Sequence, residues 1–136
     1  MSDRCRLEIR CSPKHMRFIN QTFSYFPSDS SVRKGVAILN FDDVNYGGDS
    51  ELRKLAALGI VFIAINYAGD NYGPGECVGI DRKLYIGPID ENLEVAVPLN
   101  ADGQPKKQAL RYAQRYLKLR KRALALIVKK AKRKKR

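Results

Sequence analysis

The sequence predicts an α+β protein: a two-layer sandwich with one mostly antiparallel or mixed sheet, helices on one face, and a long basic helix at the C-terminus. Three observations predict it. Residues Arg4 to Cys11 alternate polar and apolar, the mark of a half-buried antiparallel strand. Strand-like and helix-like stretches then follow one another through predominantly short connections rich in Gly, Asn, Asp and Pro. Finally, residues 106–136 hold fifteen Lys or Arg and no Asp or Glu, whereas residues 1–105 hold 11 basic and 14 acidic residues, so the net charge of +12 belongs to a basic extension of a mildly acidic body.

Taken in order, Cys5, Leu7, Ile9 and Cys11 point to one side of the first strand and Arg4, Arg6, Glu8 and Arg10 to the other. Ser12-Pro13 reads as a helix start, and His15 or Met16, Ile19, Thr22 or Phe23 and Phe26 recur at helical spacing over residues 13–26. Pro27 to Ser31 reads as a loop. Val36 to Asp42 is strand-like. Asp49 is expected to cap a short helix through Leu58, with Leu52, Leu55 and Ala56 inward and Gly59 ending it in a left-handed conformation. Ile60 to Tyr67 is the most apolar strand and is placed centrally. Glu76–Ile80 and Lys83–Ile86 are two short strands able to pair, and Leu93–Leu99, with Pro98 near its end, reads as an edge strand. This makes residues 1–99 the α+β body, 100–105 a linker, and 106–136 a basic amphipathic helix with a lysine/arginine-rich arm.

Composition bounds the function. A chain of 136 residues with 44% hydrophobic content is one folded domain. Its longest apolar run, Gly59 to Ile65, is too short to span a bilayer. No apolar leader follows Met1, and the three cysteines, Cys5, Cys11 and Cys77, do not form a disulfide framework, so a cytoplasmic setting is expected.

On the terminal helix, at about 100° per residue, Leu110, Ala113, Tyr116, Leu117, Leu124, Ile127, Val128 and Ala131 fall in one stripe, interrupted by Arg120. Tyr112, Leu119 and Leu126 form a weaker flank. The opposite face is cationic. A solvated helix serving solubility, a membrane-surface helix and a nucleic-acid-binding helix all fit this pattern. The last is favoured, because seven cations in the final eight residues exceed what solubility requires and the apolar face lacks Trp and Phe. The phosphate-binding candidates are Lys106, Lys107, Arg111, Arg115, Lys118, Arg122, Lys129, Lys130, Lys132, Arg133, Lys134, Lys135 and Arg136. Tyr112 and Tyr116 are candidates for stacking on unpaired bases. Without a finger spacing or an RNP-like motif, binding should be largely blind to sequence.

Catalytic signals are weak. Three Asn-Tyr segments, Asn45 to Asp49, Asn66 to Asp70 and Asn71 to Gly75, read as tight turns or as a polar rim at one end of the sheet; their glycines match no nucleotide-binding fingerprint. Asp42, Asp43, Asp49 and Asp70 would have to converge to make a metal-dependent nuclease. His15 with Cys5, Cys11 and Cys77 lacks zinc-site spacing, and His15 is read as a packing residue. No catalytic residue, metal or cofactor is assigned.

The block Phe41-Asp-Asp-Val-Asn-Tyr-Gly47, Leu52-x-x-Leu55-x-x-Leu58-Gly-Ile60 and Ala68-Gly-Asp-Asn-Tyr-Gly-Pro-Gly75 resembles small uncharacterised proteins of bacteriophages and other mobile elements. The resemblance implies a bacterial-cell context and no catalytic residues. The expectation is therefore a non-enzymatic protein that grips nucleic acid or a ribonucleoprotein through residues 106–136, as an inhibitor of a nucleic-acid-guided host defence complex would. The alternatives are a module whose basic helix docks an acidic protein partner, and a metal-dependent nuclease.

Overall fold

The computed structural model describes residues 4–24, 28–45, 48–68 and 73–133. It shows the α+β class expected, built on one six-stranded antiparallel sheet. The elements are β1 (Arg4–Cys11), a 3-10 turn (Pro13–His15) leading into α1 (Met16–Thr22), β2 (Ser28–Arg33), β3 (Val36–Asn45), α2 (Asp49–Ala57), β4 (Phe62–Asn66), β5 (Gly75–Ile80), β6 (Lys83–Ile86) and α3 (Lys107–Arg133). Strand order is β2-β3-β1-β4-β5-β6, and every neighbouring pair is antiparallel.

Alternation along the strands separates two cores. Leu7, Ile9 and Cys11 of β1, Phe62 and Ala64 of β4 and Cys77 of β5 face α1 and α2, packing on Ile19, Phe23, Leu52 and Leu55. Phe23 and Phe41 stack there with ring centroids 4.8 Å apart. Ile63, Val78 and Ile80, the intervening positions, face the other way and pack on Tyr116, Leu119 and Ala123 of α3. The body alone is thus the two-layer sandwich, and α3 adds a third layer on the opposite side of the sheet.

Local chemistry explains the ends of α2. Asp49 and Glu51 sit in its first turn, where they complement the helix dipole, and Gly48 rather than Asp49 is the N-cap residue. At the other end Gly59 (φ 85°) donates to the Ala56 carbonyl and Ile60 to the Leu55 carbonyl. This Schellman pair closes the helix and returns Ile60 to the core.

Two readings of the sequence are corrected. Residues 28–33 form strand β2, where the polar Ser-Asp-Ser-Ser run reads as loop. Its hairpin with β3 turns through Lys34 and Gly35, both at positive φ (52° and 80°), the two-residue turn whose twist suits a hairpin. Residues 93–99 are not an edge strand. Only isolated bridges, Ile89 to Val95 and Leu99 to Pro105, form in residues 87–106. Pro88, Pro98 and Pro105 lack the donors a ladder needs, and the Asp90 carboxylate accepts the amides of Asn92 and Glu94, holding a turn instead. Phe26 of the first predicted helix lies outside the described residues; the helix itself ends at Thr22.

Candidate nucleic-acid interface

Helix α3 is anchored by polar contacts to a single buried carboxylate. Glu76 of β5 is 8% exposed, and its Oε1 accepts from the Tyr116 hydroxyl at 2.7 Å and from Arg120 Nη1 at 2.8 Å. A carboxylate so far from water needs such donors, and Arg120, the cation that interrupts the apolar stripe, supplies the compensating charge. Burial first, and then the bond to Glu76, pushes the Tyr116 hydroxyl well above the usual phenol range, so it stays a neutral donor. Gly87 makes room for the ring, because a Cβ there would lie 2.7 Å from it. Further along, the Tyr112 hydroxyl donates to the Ile86 carbonyl, Arg115 lies 5.6 Å over the Tyr85 ring, and Arg122 pairs with Asp81 in the β5–β6 turn.

These contacts turn the helix further than the apolar stripe predicts. The buried residues are Ala113, Tyr116, Leu119, Ala123 and Ile127, while Leu110, Leu117 and Leu124 remain 36%, 40% and 44% exposed. The stripe alone places those three leucines inward and Leu119 on a weaker flank. The carboxylate clasp, which no periodicity of apolar residues reveals, sets the rotation.

Among the candidate phosphate-binding residues, Lys106, Lys107, Arg111, Arg115 and Lys118 are exposed. Lys121, which the sequence does not single out, is exposed with them. Recentring the stripe on Ala113, Tyr116 and Ala123 finds it. Arg122 is exposed but engaged with Asp81. Tyr116 is corrected: at 1% exposure, with its hydroxyl on Glu76, its ring cannot meet a base. Tyr112 keeps 40% exposure with its hydroxyl tethered to Ile86. Lys129, Lys130, Lys132 and Arg133 continue the helix; their side chains, and the whole of Lys134, Lys135 and Arg136, lie outside the described residues.

The readings that assign chemistry to the body fare differently. Among the described residues no group of three or more His, Cys, Asp or Glu could hold a metal ion; Asp70 and the Asp43 side chain lie outside them. Described residues of all three Asn-Tyr segments come together: Asp49, Asn66 and Gly73 to Gly75 line one cavity of about 310 Å³, with Leu52, Cys77 and Leu84 also in its lining. Tyr46 and Tyr72 lie outside the described residues. At the rim Asp49 is engaged by Arg53 at 2.9 Å, and Asn66 Nδ2 donates to the Gly73 carbonyl at 3.1 Å. Cys77 offers no nucleophile there, since burial, and then the Asp49 and Glu76 charges, push its thiol up to about 12.

Fold and surface together define an α+β protein whose antiparallel sheet presents a docked, outwardly cationic helix. No protein-family model matches the chain, and neither a curated protein nor a solved structure is significantly similar to it. No helix among the described residues is long and apolar enough to cross a membrane.

Proposed function

We propose that this is a non-enzymatic protein that binds nucleic acid, or the RNA of a ribonucleoprotein, through the outer ridge of α3 and the basic residues beyond it. One observation carries the reading. Lys107, Arg111, Lys118 and Lys121 are exposed along a helix with no carboxylate of its own, and they are held in line because the inner face is packed on the sheet. From Lys107 to Lys121 the ridge runs for roughly 21 Å at 1.5 Å per residue. Phosphates recruited along it would release counterions, which makes the binding strong, salt-sensitive and indifferent to sequence.

The loss of Tyr116 as a stacking group, and the tether on Tyr112, favour a backbone-contacting mode over one in which bases stack on the helix. Guide RNA in a host defence complex would offer such a backbone. The resemblance of the central block to mobile-element proteins implies a bacterial-cell context, in which such a complex is one target open to it.

Cutting the chain at residue 105 would strip the cover from Ile63, Val78 and Ile80, so charge substitution is the sound test. Fluorescence anisotropy with short duplex and single-stranded probes should show affinity falling on the order of a thousandfold between about 50 and 200 mM salt if six to ten phosphates are engaged. The variant Lys107→Gln/Arg111→Gln/Lys118→Gln/Lys121→Gln should flatten the logarithmic salt slope on duplex DNA by roughly 0.9 for each phosphate it no longer neutralises. An unchanged slope with unchanged affinity would refute the assignment.

A further inference from the structure

From the row of leucines that α3 leaves uncovered, we infer a second recognition surface, one that seats an amphipathic helix of a partner protein carrying Asp or Glu beside its apolar face. Leu110, Leu117 and Leu124 recur at intervals of seven and fall within about 40° of one another on the helix. The row is roughly 21 Å long, about four helical turns. All three residues are more than a third exposed, although each lies next to the buried line of Ala113 and Ile127.

The direction this row faces follows from its neighbours. Arg115 and Arg122, on the other flank of α3, reach Tyr85 and Asp81 at the β6 edge of the sheet. The leucine flank therefore looks the opposite way, toward the β1 and β3 side of the sheet. Arg10 of β1 stands between Ile38 of β3 and Ile63 of β4 in register. Ile63 packs beneath α3, so Arg10 and Ile38 share the face of the sheet on which α3 lies. Arg10 is exposed and Ile38 half-buried. The result is a step, with a leucine wall on one side and a floor of mixed character on the other.

Charge and shape select the occupant. Lys107 and Lys121 border the wall on its outer side, three or four residues from its leucines, and no carboxylate occurs anywhere on α3. A second copy would bring the same cations against these and be repelled. A flat bilayer would meet the Lys118–Lys121 ridge before it reached the leucines, which are set back on the flank. A helix lying in the step can bury its apolar face on the row while its acidic margin meets those lysines.

The test uses the full chain and a synthetic amphipathic peptide of about 18 residues, with leucines at i, i+3, i+4 and i+7 and glutamates around them. A scrambled peptide of the same composition is the reference. Measured by anisotropy, the patterned peptide should bind at least about tenfold more tightly than the scrambled one, and Leu117→Gln/Leu124→Gln should abolish that difference. These substitutions leave the charge unchanged, so duplex DNA should bind the variant as it binds the parent. Failure here is thereby separated from failure of the nucleic-acid reading. Equal binding of the two peptides, or a variant that still prefers the patterned one, overturns the inference. So does either alternative occupant: a dimer by sedimentation that the variant dissolves, or vesicles of phosphatidylserine and phosphatidylcholine that bind the parent, but not the variant, in preference to the peptide.

Discussion

Glu76 is the residue on which the third layer turns, because one buried carboxylate oxygen receives both Tyr116 and Arg120. Removing the Tyr116 hydroxyl leaves that oxygen one donor short, so Tyr116→Phe should cost about 1–3 kcal/mol. Glu76→Leu is worse, since it strands a partly buried guanidinium, and should cost about 3–5 kcal/mol. Urea unfolding of both variants checks the order; equal stability of Glu76→Leu and the parent would show that the clasp does not hold the helix. The thiols of Cys11 and Cys77 carry a separate signature. Burial pushes each from an ordinary value of 9.0 up to about 12. The unfolded chain therefore gives up these protons first as pH rises, and their contribution is whole below pH 9 and lost between 9 and 12. Between those limits stability should fall by about 1.4 kcal/mol per pH unit for each thiol. Urea midpoints at pH 9 and 10 for the parent and Cys11→Ala/Cys77→Ala check this; parallel curves would show the thiols are not responsible.

At the scale of elements, the strands and helices with a strong period were legible and those held by pairing alone were not. β1 announced itself through Cys5, Leu7, Ile9 and Cys11, all of them buried, and the short helix over residues 49–57 through Leu52, Leu55 and the terminating Gly59. β2 carries almost no apolar signal, because as an edge strand it needs only its backbone to pair with β3. The Lys34-Gly35 turn was the available clue. Leu93 to Leu99 shows the reverse failure: an alternating pattern whose prolines and Asp90-centred turn prevent a ladder. For α3, the existence and cationic character of the helix were plain from sequence, but its rotation was not. Rotation depends on Glu76, forty residues distant in the chain, and on Gly87, where the Tyr116 ring excludes a side chain. The candidate interface was accordingly readable as a set of charges and misread at Tyr116, which the sheet buries.

The whole molecule separates charge along the chain yet joins the parts in one fold, so the proposed binding would be tied to folding. A mildly acidic body supports α3 through Ile63, Val78 and Ile80, and only the docked helix keeps Lys107, Arg111, Lys118 and Lys121 in line. If binding requires that alignment, a polyanion binds the native state far better than the unfolded chain and must stabilise it. A duplex present at a hundred times its dissociation constant should add about 2.7 kcal/mol, which for a chain of this length raises Tm by on the order of 5–10 °C. An unstructured polycation would behave otherwise, because folded and unfolded chains would bind the duplex alike and Tm would stay put. Scanning calorimetry with and without a short duplex at low salt decides between the two. The same pair of scans on Lys107→Gln/Arg111→Gln/Lys118→Gln/Lys121→Gln should show most of the shift gone, although the residues beyond Val128 are untouched. A full Tm rise in that variant would move the binding energy to the chain's last residues and leave the ridge without a role.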